Sequence, residues 1–153
     1  MVDMGAWVLR ATAFGVLVVV LRALLGFAMI YWPTEGSWLR ILCLAVIIVA
    51  VAAWGLADGR SDRQANPDPD RGGADLTVRW LKAGIAGGLG SGLVSWLLDL
   101  VPKLDLGGNS LVFELTAGAS FIVLLIFVPA MAGVALGRFL AGREHRSGAA
   151  VTA

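Results

Sequence analysis

Three stretches of this chain, Ile41 to Ala57, Ala83 to Leu98 and Leu115 to Gly137, contain no Asp, Glu, Lys or Arg, and a fourth, Met4 to Trp32, is interrupted only by Arg10 and Arg22. A helix needs about 20 mostly apolar residues to cross a hydrocarbon core of roughly 30 Å, with about 17 as the lower limit. Four transmembrane helices are therefore expected, near residues 5–31, 39–57, 80–101 and 114–140. Stretches such as "VLVVVL" and "FIVLLIFV" do not alternate, which excludes the apolar-out, polar-in pattern of a membrane β-barrel.

Composition agrees with this reading. The chain is 58% hydrophobic and 15% charged with a mean hydropathy of +0.82, whereas a soluble domain is about half apolar and a quarter charged. The expected fold class is all-α: a polytopic membrane protein whose 153 residues form a single domain, four transmembrane helices in a compact bundle. The first apolar stretch runs past Arg22 to Trp32 with no small-residue cleavage pattern, so it reads as a retained span rather than a secretory signal.

Orientation follows from the basic residues, because cytoplasmic loops hold the excess of Lys and Arg. Arg10, Arg60, Arg63, Arg71, Arg79, Lys82, Arg138, Arg143 and Arg146 fall on the side of loop 58–79, and Arg40 and Lys103 on the other, nine against two. Both termini, loop 58–79 and the polar tail 141–153 are expected on the cytoplasmic side of a bacterial plasma membrane. Indole rings favour the headgroup level, so Trp7, Trp54 and Trp80 read as inner anchors and Tyr31, Trp32, Trp38 and Trp96 as outer ones.

Loop 58–79 carries alternating charges and two prolines. Asp68, Asp70 and Gly73 touch the start of a calcium-loop pattern, but Gly72 stands where a ligand is needed and Arg79 where the bidentate glutamate should be. One histidine, His145, and one cysteine, Cys43, make neither a zinc site nor a nucleophile–base pair in the membrane. No enzyme, metal or cofactor chemistry is expected. Arg143 and Arg146 suit lipid headgroups and form no nucleic-acid stripe.

Charges inside a span are expensive, at least about 2.5–3.5 kcal/mol on the lenient insertion scale, and Arg22 is such a charge. At 1.5 Å per residue it lies about 18 Å beyond Arg10, and Asp99 lies about 25 Å beyond Lys82. Arg22 and Asp99 thus reach a similar depth and form, with Glu114 at the mouth, a candidate membrane-embedded polar site facing outward. The competing reading has Arg22 snorkel to the outer headgroups while Asp99 ends the third helix beside Lys103.

The runs "WGLADGRSDRQANPDPDRGGADLTVRWLKAG", residues 54–84, and "ELTAGASFIVLLIFVPAMAGVALGRFL", residues 114–140, resemble a bacterial family of small four-helix proteins of the drug/metabolite-transporter-like kind. The resemblance implies a small-molecule transporter in the lipid bilayer, substrate unspecified. Small multidrug resistance transporters, also of four helices, work around a carboxylate in the first helix; this chain has Arg22 there and no carboxylate between Asp3 and Glu35. The alternative is an accessory or structural subunit docked on a larger membrane complex. Either class is compatible with a homo-oligomer.

"GIAGGLGSG", residues 84–92, fits neither a Walker loop nor a dinucleotide fingerprint. Gly84, Gly88 and Gly92 recur at a spacing of four, one smooth stripe on a helix, and Gly133 and Gly137 begin a second. In lipid, such stripes let helix backbones approach closely. Sequence leaves open whether the first stripe meets a helix of its own chain or of a partner.

Overall fold

The computed structural model describes residues 2–66, 75–100 and 110–151. Helix α1 (Val2–Tyr31) is followed by a 3-10 turn (Pro33–Glu35), α2 (Gly36–Ala65) and α3 (Leu76–Asp99). A short α4 (Leu111–Phe113), a π-helical segment (Glu114–Gly118) and α5 (Ala119–Val151) then follow without a break as the fourth span. All four spans are long and apolar enough to cross a bilayer, so the chain is an all-α, four-helix, multi-pass membrane protein. Asp68, Asp70, Arg71, Gly72, Gly73 and Lys103 lie outside the described residues, as do the side chains of Asp99, His145 and Arg146.

Two helices run further than the apolar pattern implies. Helix α2 continues through Asp58, Arg60, Asp62 and Arg63 to Ala65, so the expected loop at 58–79 begins eight residues late, at Asn66. Asp58 and Asp62 are the reason: each faces a neighbouring helix and pairs there with an arginine, Arg10 and Arg138 respectively. Charges paired across a helix seam do not end the helix that carries them. Likewise α5 runs on to Val151, through most of the tail expected at 141–153.

Start signals at the other helices are local. The Asp75 side chain caps α3 by accepting from the Val78 N–H at 3.1 Å, and Ser110 caps α4 by accepting from the Phe113 N–H at 3.3 Å. Each satisfies one of the amides left unpaired at a helix N-terminus.

Helix α1 borders α2 and α3, and α5 borders the same two. The helices therefore stand in a ring, α1–α2–α5–α3, with α1 and α5 at opposite corners. Phe14 and Val18 of α1, Ile47 and Val51 of α2, Trp80 of α3 and Ile126 and Ala130 of α5 meet in the middle. Val51, Trp80 and Ile126 are fully buried.

Glycine seams set how close these helices come. On α2 and α5 the contact is reciprocal: a Cβ on Gly55 or Gly59 would lie 2.4 or 2.2 Å from the carbonyl oxygens of Ala130 and Val134, and one on Gly133 or Gly137 would lie 2.2 Å from those of Ala52 and Leu56. No side chain of any kind fits there. Gly133 and Gly137 were evident as a small stripe; their partners Gly55 and Gly59 were hidden in the polar run "GLADGR".

The stripe on α3 faces its own chain. A Cβ on Gly88 would lie 2.9 Å from the Ala119 carbonyl oxygen, one on Gly92 2.8 Å from that of Glu114, and one on Gly84 3.5 Å from that of Val123. The α3–α5 seam is thus intramolecular, and Gly88→Leu is expected to cut the yield of folded monomer and lower its thermal midpoint in detergent. Loss of an oligomer with the monomer's midpoint unchanged would place the stripe at a subunit interface instead.

Candidate functional site: an ion pair across the four-helix bundle

Among the described residues three arginine–carboxylate pairs join helices of the bundle, Arg10–Asp58, Arg22–Glu114 and Arg138–Asp62. At the end where α1 and α3 begin, the Arg10 guanidinium grips the Asp58 carboxylate with both ends, Nε to Oδ2 at 3.0 Å and Nη2 to Oδ1 at 2.8 Å. Trp80 Nε1 donates to the same carboxylate at 3.1 Å, and Arg10 Nη1 donates to the Ala6 carbonyl at 2.6 Å. The guanidinium also lies over the rings of Trp54 and Trp80, 6.0 and 5.6 Å from their centroids. Both charged side chains are mostly buried, 9% and 14% exposed.

This cluster ties α1, α2 and α3 together through a charge-assisted, bidentate contact. It corrects the anchor reading of Trp80, which is fully buried and serves as a hydrogen-bond donor in the core. Sequence held a signal for it: Trp54, Asp58 and Asp62 recur at the helical spacing of four that also separates Gly55 from Gly59.

In the opposite half of the bundle, Arg22 of α1 pairs with Glu114 at the head of the π segment. Arg22 Nη1 donates to Glu114 Oε2 at 2.8 Å, and Nη2 to Oε1, again a bidentate contact. Because α1 and α5 occupy opposite corners of the ring, this ion pair spans the bundle instead of running along one seam.

Glu114 is held in place by its neighbours. The π turn carries the Ala119 N–H back to the Glu114 carbonyl, and Thr116 Oγ1 donates to the Val112 carbonyl at 2.6 Å. Gly92 lets the Glu114 carbonyl lie against α3, and Gly118 leaves room for the carboxylate, since a Cβ there would sit 3.0 Å from Oε2. Glycine on either side and the extra residue of the π turn together point a carboxylate inward.

Burial within the pair is unequal: the Glu114 side chain is 4% exposed and that of Arg22 is 30%. The carboxylate therefore sits deep while the arginine side chain is partly exposed. Ser91 and Ser95 are buried on the same length of α3, the former donating to the Gly88 carbonyl at 3.0 Å.

Of the three residues expected to form the polar site, the structure brings Arg22 and Glu114 together, and Glu114 lies inside the bundle rather than at its mouth. The π turn is the physical reason, because a regular helix gives no signal of the added residue. Arg22 does not simply snorkel to the headgroups, since its guanidinium is engaged by Glu114.

No protein-family model and no curated protein matches this chain, so what the site does is read from its own residues.

Proposed function

We propose that the protein is a small transporter and that Arg22 and Glu114 form its substrate- or ion-coupling site. The observation that supports this most is a bidentate ion pair placed across a four-helix membrane bundle and built on a π turn. Ionisable residues inside membrane spans are costly and mark ion or substrate pathways by default, and π turns concentrate at functional positions. The resemblance of residues 54–84 and 114–140 to the drug/metabolite-transporter-like family points the same way.

On this reading the inner half is the fixed part. Its helices are held by the α2–α5 glycine seam and by the Arg10–Asp58–Trp80 cluster. The outer half holds the exchangeable contact: a ligand or proton that neutralises Glu114 releases Arg22, and a ligand anion on Arg22 releases Glu114. Two partners competing for one counter-charge is a physical means of coupling.

A second reading, an accessory subunit that transports nothing, draws on the fully buried centre of Val51, Trp80 and Ile126, which a transporter must part at some stage of its cycle. Reconstitution separates the two. Proteoliposomes on a solid-supported membrane, challenged with a panel of small organic cations and anions, are expected to give a translocation current with at least one compound. Glu114→Gln and Arg22→Leu should each lower that current at least tenfold. Silence of the wild type across the panel, with a stoichiometric partner protein retained through mild-detergent purification, would favour the accessory subunit.

A further inference from the structure

A groove of about 400 Å³ runs along the lipid-facing side of the α1–α3 seam, walled by apolar side chains and the backbone of small residues. Trp7 marks one end, Val16, Val20 and Val94 line the other, and Gly15 and Gly90 form part of its wall. The helices touch at its floor, where a Cβ on Gly15 would lie 3.5 Å from the Gly87 carbonyl oxygen. Above Gly90 the groove is open: a Cβ there would meet nothing within 4 Å.

From Trp7 to Val20 the groove extends along α1 for about 20 Å. That is a little more than one leaflet's share of a hydrocarbon core of roughly 30 Å. Its mouth lies at the end where α1 and α3 begin, and Lys82 stands there on the same face of α3 as the lining residues Ala86, Gly90 and Val94, at successive spacings of four. Lys82 is exposed and forms no ion pair among the described residues. The end of the groove thus has an amphipathic indole and an exposed ammonium, and its length is almost wholly apolar, with only the hydroxyls of Thr12 and Ser91 among its lining groups.

We infer that this groove binds one phospholipid with an anionic headgroup, its acyl chain laid along the α1–α3 seam and its phosphate held at the mouth by Lys82 beside Trp7. A headgroup phosphate supplies the counter-charge that Lys82 lacks within the described residues. A second copy of the chain is a poorer occupant, because rotation about an axis along the membrane normal brings the two Lys82 ammonium groups to the same depth across the interface.

Gly90→Leu tests this cleanly, because it puts a side chain into the groove at a position where the Cβ meets no neighbour and replaces a poor helix former by a good one. In native mass spectrometry of the delipidated full chain titrated with phosphatidylglycerol or phosphatidylcholine, the wild type is expected to hold one phosphatidylglycerol in preference to phosphatidylcholine. Gly90→Leu should weaken that adduct at least fivefold with thermal stability unchanged or raised. Lys82→Gln should lower the preference for phosphatidylglycerol about fivefold, the effect of one lysine near an anionic surface, and leave phosphatidylcholine binding as it was.

Equal binding of both lipids by the wild type, or phosphatidylglycerol binding that Gly90→Leu leaves intact, would overturn the assignment. So would a stable dimer or a copurifying protein that Gly90→Leu abolishes, which would give the groove to a helix.

Discussion

Gly137→Leu will prevent the protein from folding. A Cβ at this position lies 2.2 Å from the carbonyl oxygen of Leu56 and 2.9 Å from the N–H nitrogen of Arg60, so the obstacle is backbone, which has no rotamer to change. Overpacking a core normally costs about 1–3 kcal/mol, and leucine adds three carbons beyond the Cβ that is already excluded. The α2 and α5 backbones must separate, and the other three glycines of the seam then lose their contacts as well.

The alanine variant gives the sharper comparison. In a helix interior Gly→Ala gains about 1 kcal/mol from intrinsic propensity, and at Gly90, where a Cβ meets nothing, that gain should appear as a raised thermal midpoint. At Gly137 the same change should lower it. Circular dichroism on the two purified variants measures both signs, and a stabilised Gly137→Ala would mean that the α2–α5 seam is looser than described.

The second large effect concerns Asp58. Removing one partner of a buried ion pair typically costs about 3–5 kcal/mol, because the other charge is left uncompensated. Asp58→Ala strands Arg10 against the rings of Trp54 and Trp80 and also leaves the Trp80 indole N–H without its acceptor. A loss in that range is expected in SDS-titration unfolding. Replacing both partners, Arg10→Met with Asp58→Leu, should recover most of it, since apolar residues of similar volume often serve as well as the pair. A double variant as unstable as the sum of the singles would show that Arg10 and Asp58 act independently.

Spans were legible in the sequence because the cost of a charge in hydrocarbon is large and is set residue by residue; the charge-free runs needed no tertiary information. The glycine stripe at 84, 88 and 92 was legible for a similar reason, its spacing being a property of one helix. What it packs against was not, since Ala119, Val123 and Glu114 come from a distant segment. Gly55 and Gly59 were concealed by Asp58, Arg60 and Asp62, polar residues that mark a loop until a partner arginine on another helix explains them.

Among the site residues, Arg22 stood out because nothing local accounts for a charge at that depth. Glu114 was visible only as an acid near a span end, and its inward position depends on a π turn and on two glycines, one of them in another helix. The Arg10–Asp58–Trp80 cluster was not visible, because a topology-setting arginine and an interfacial tryptophan have the same composition signature as buried partners.

The central claim is that the Arg22–Glu114 pair serves transport rather than stability. The most direct measurement compares solid-supported-membrane currents of the wild type with those of the double variant Arg22→Leu/Glu114→Leu, both reconstituted at equal density and matched for thermal midpoint. An apolar pair fills the same space without an unpaired charge, so the account predicts a folded protein whose translocation current is abolished. A double variant that folds and carries the wild-type current would contradict it.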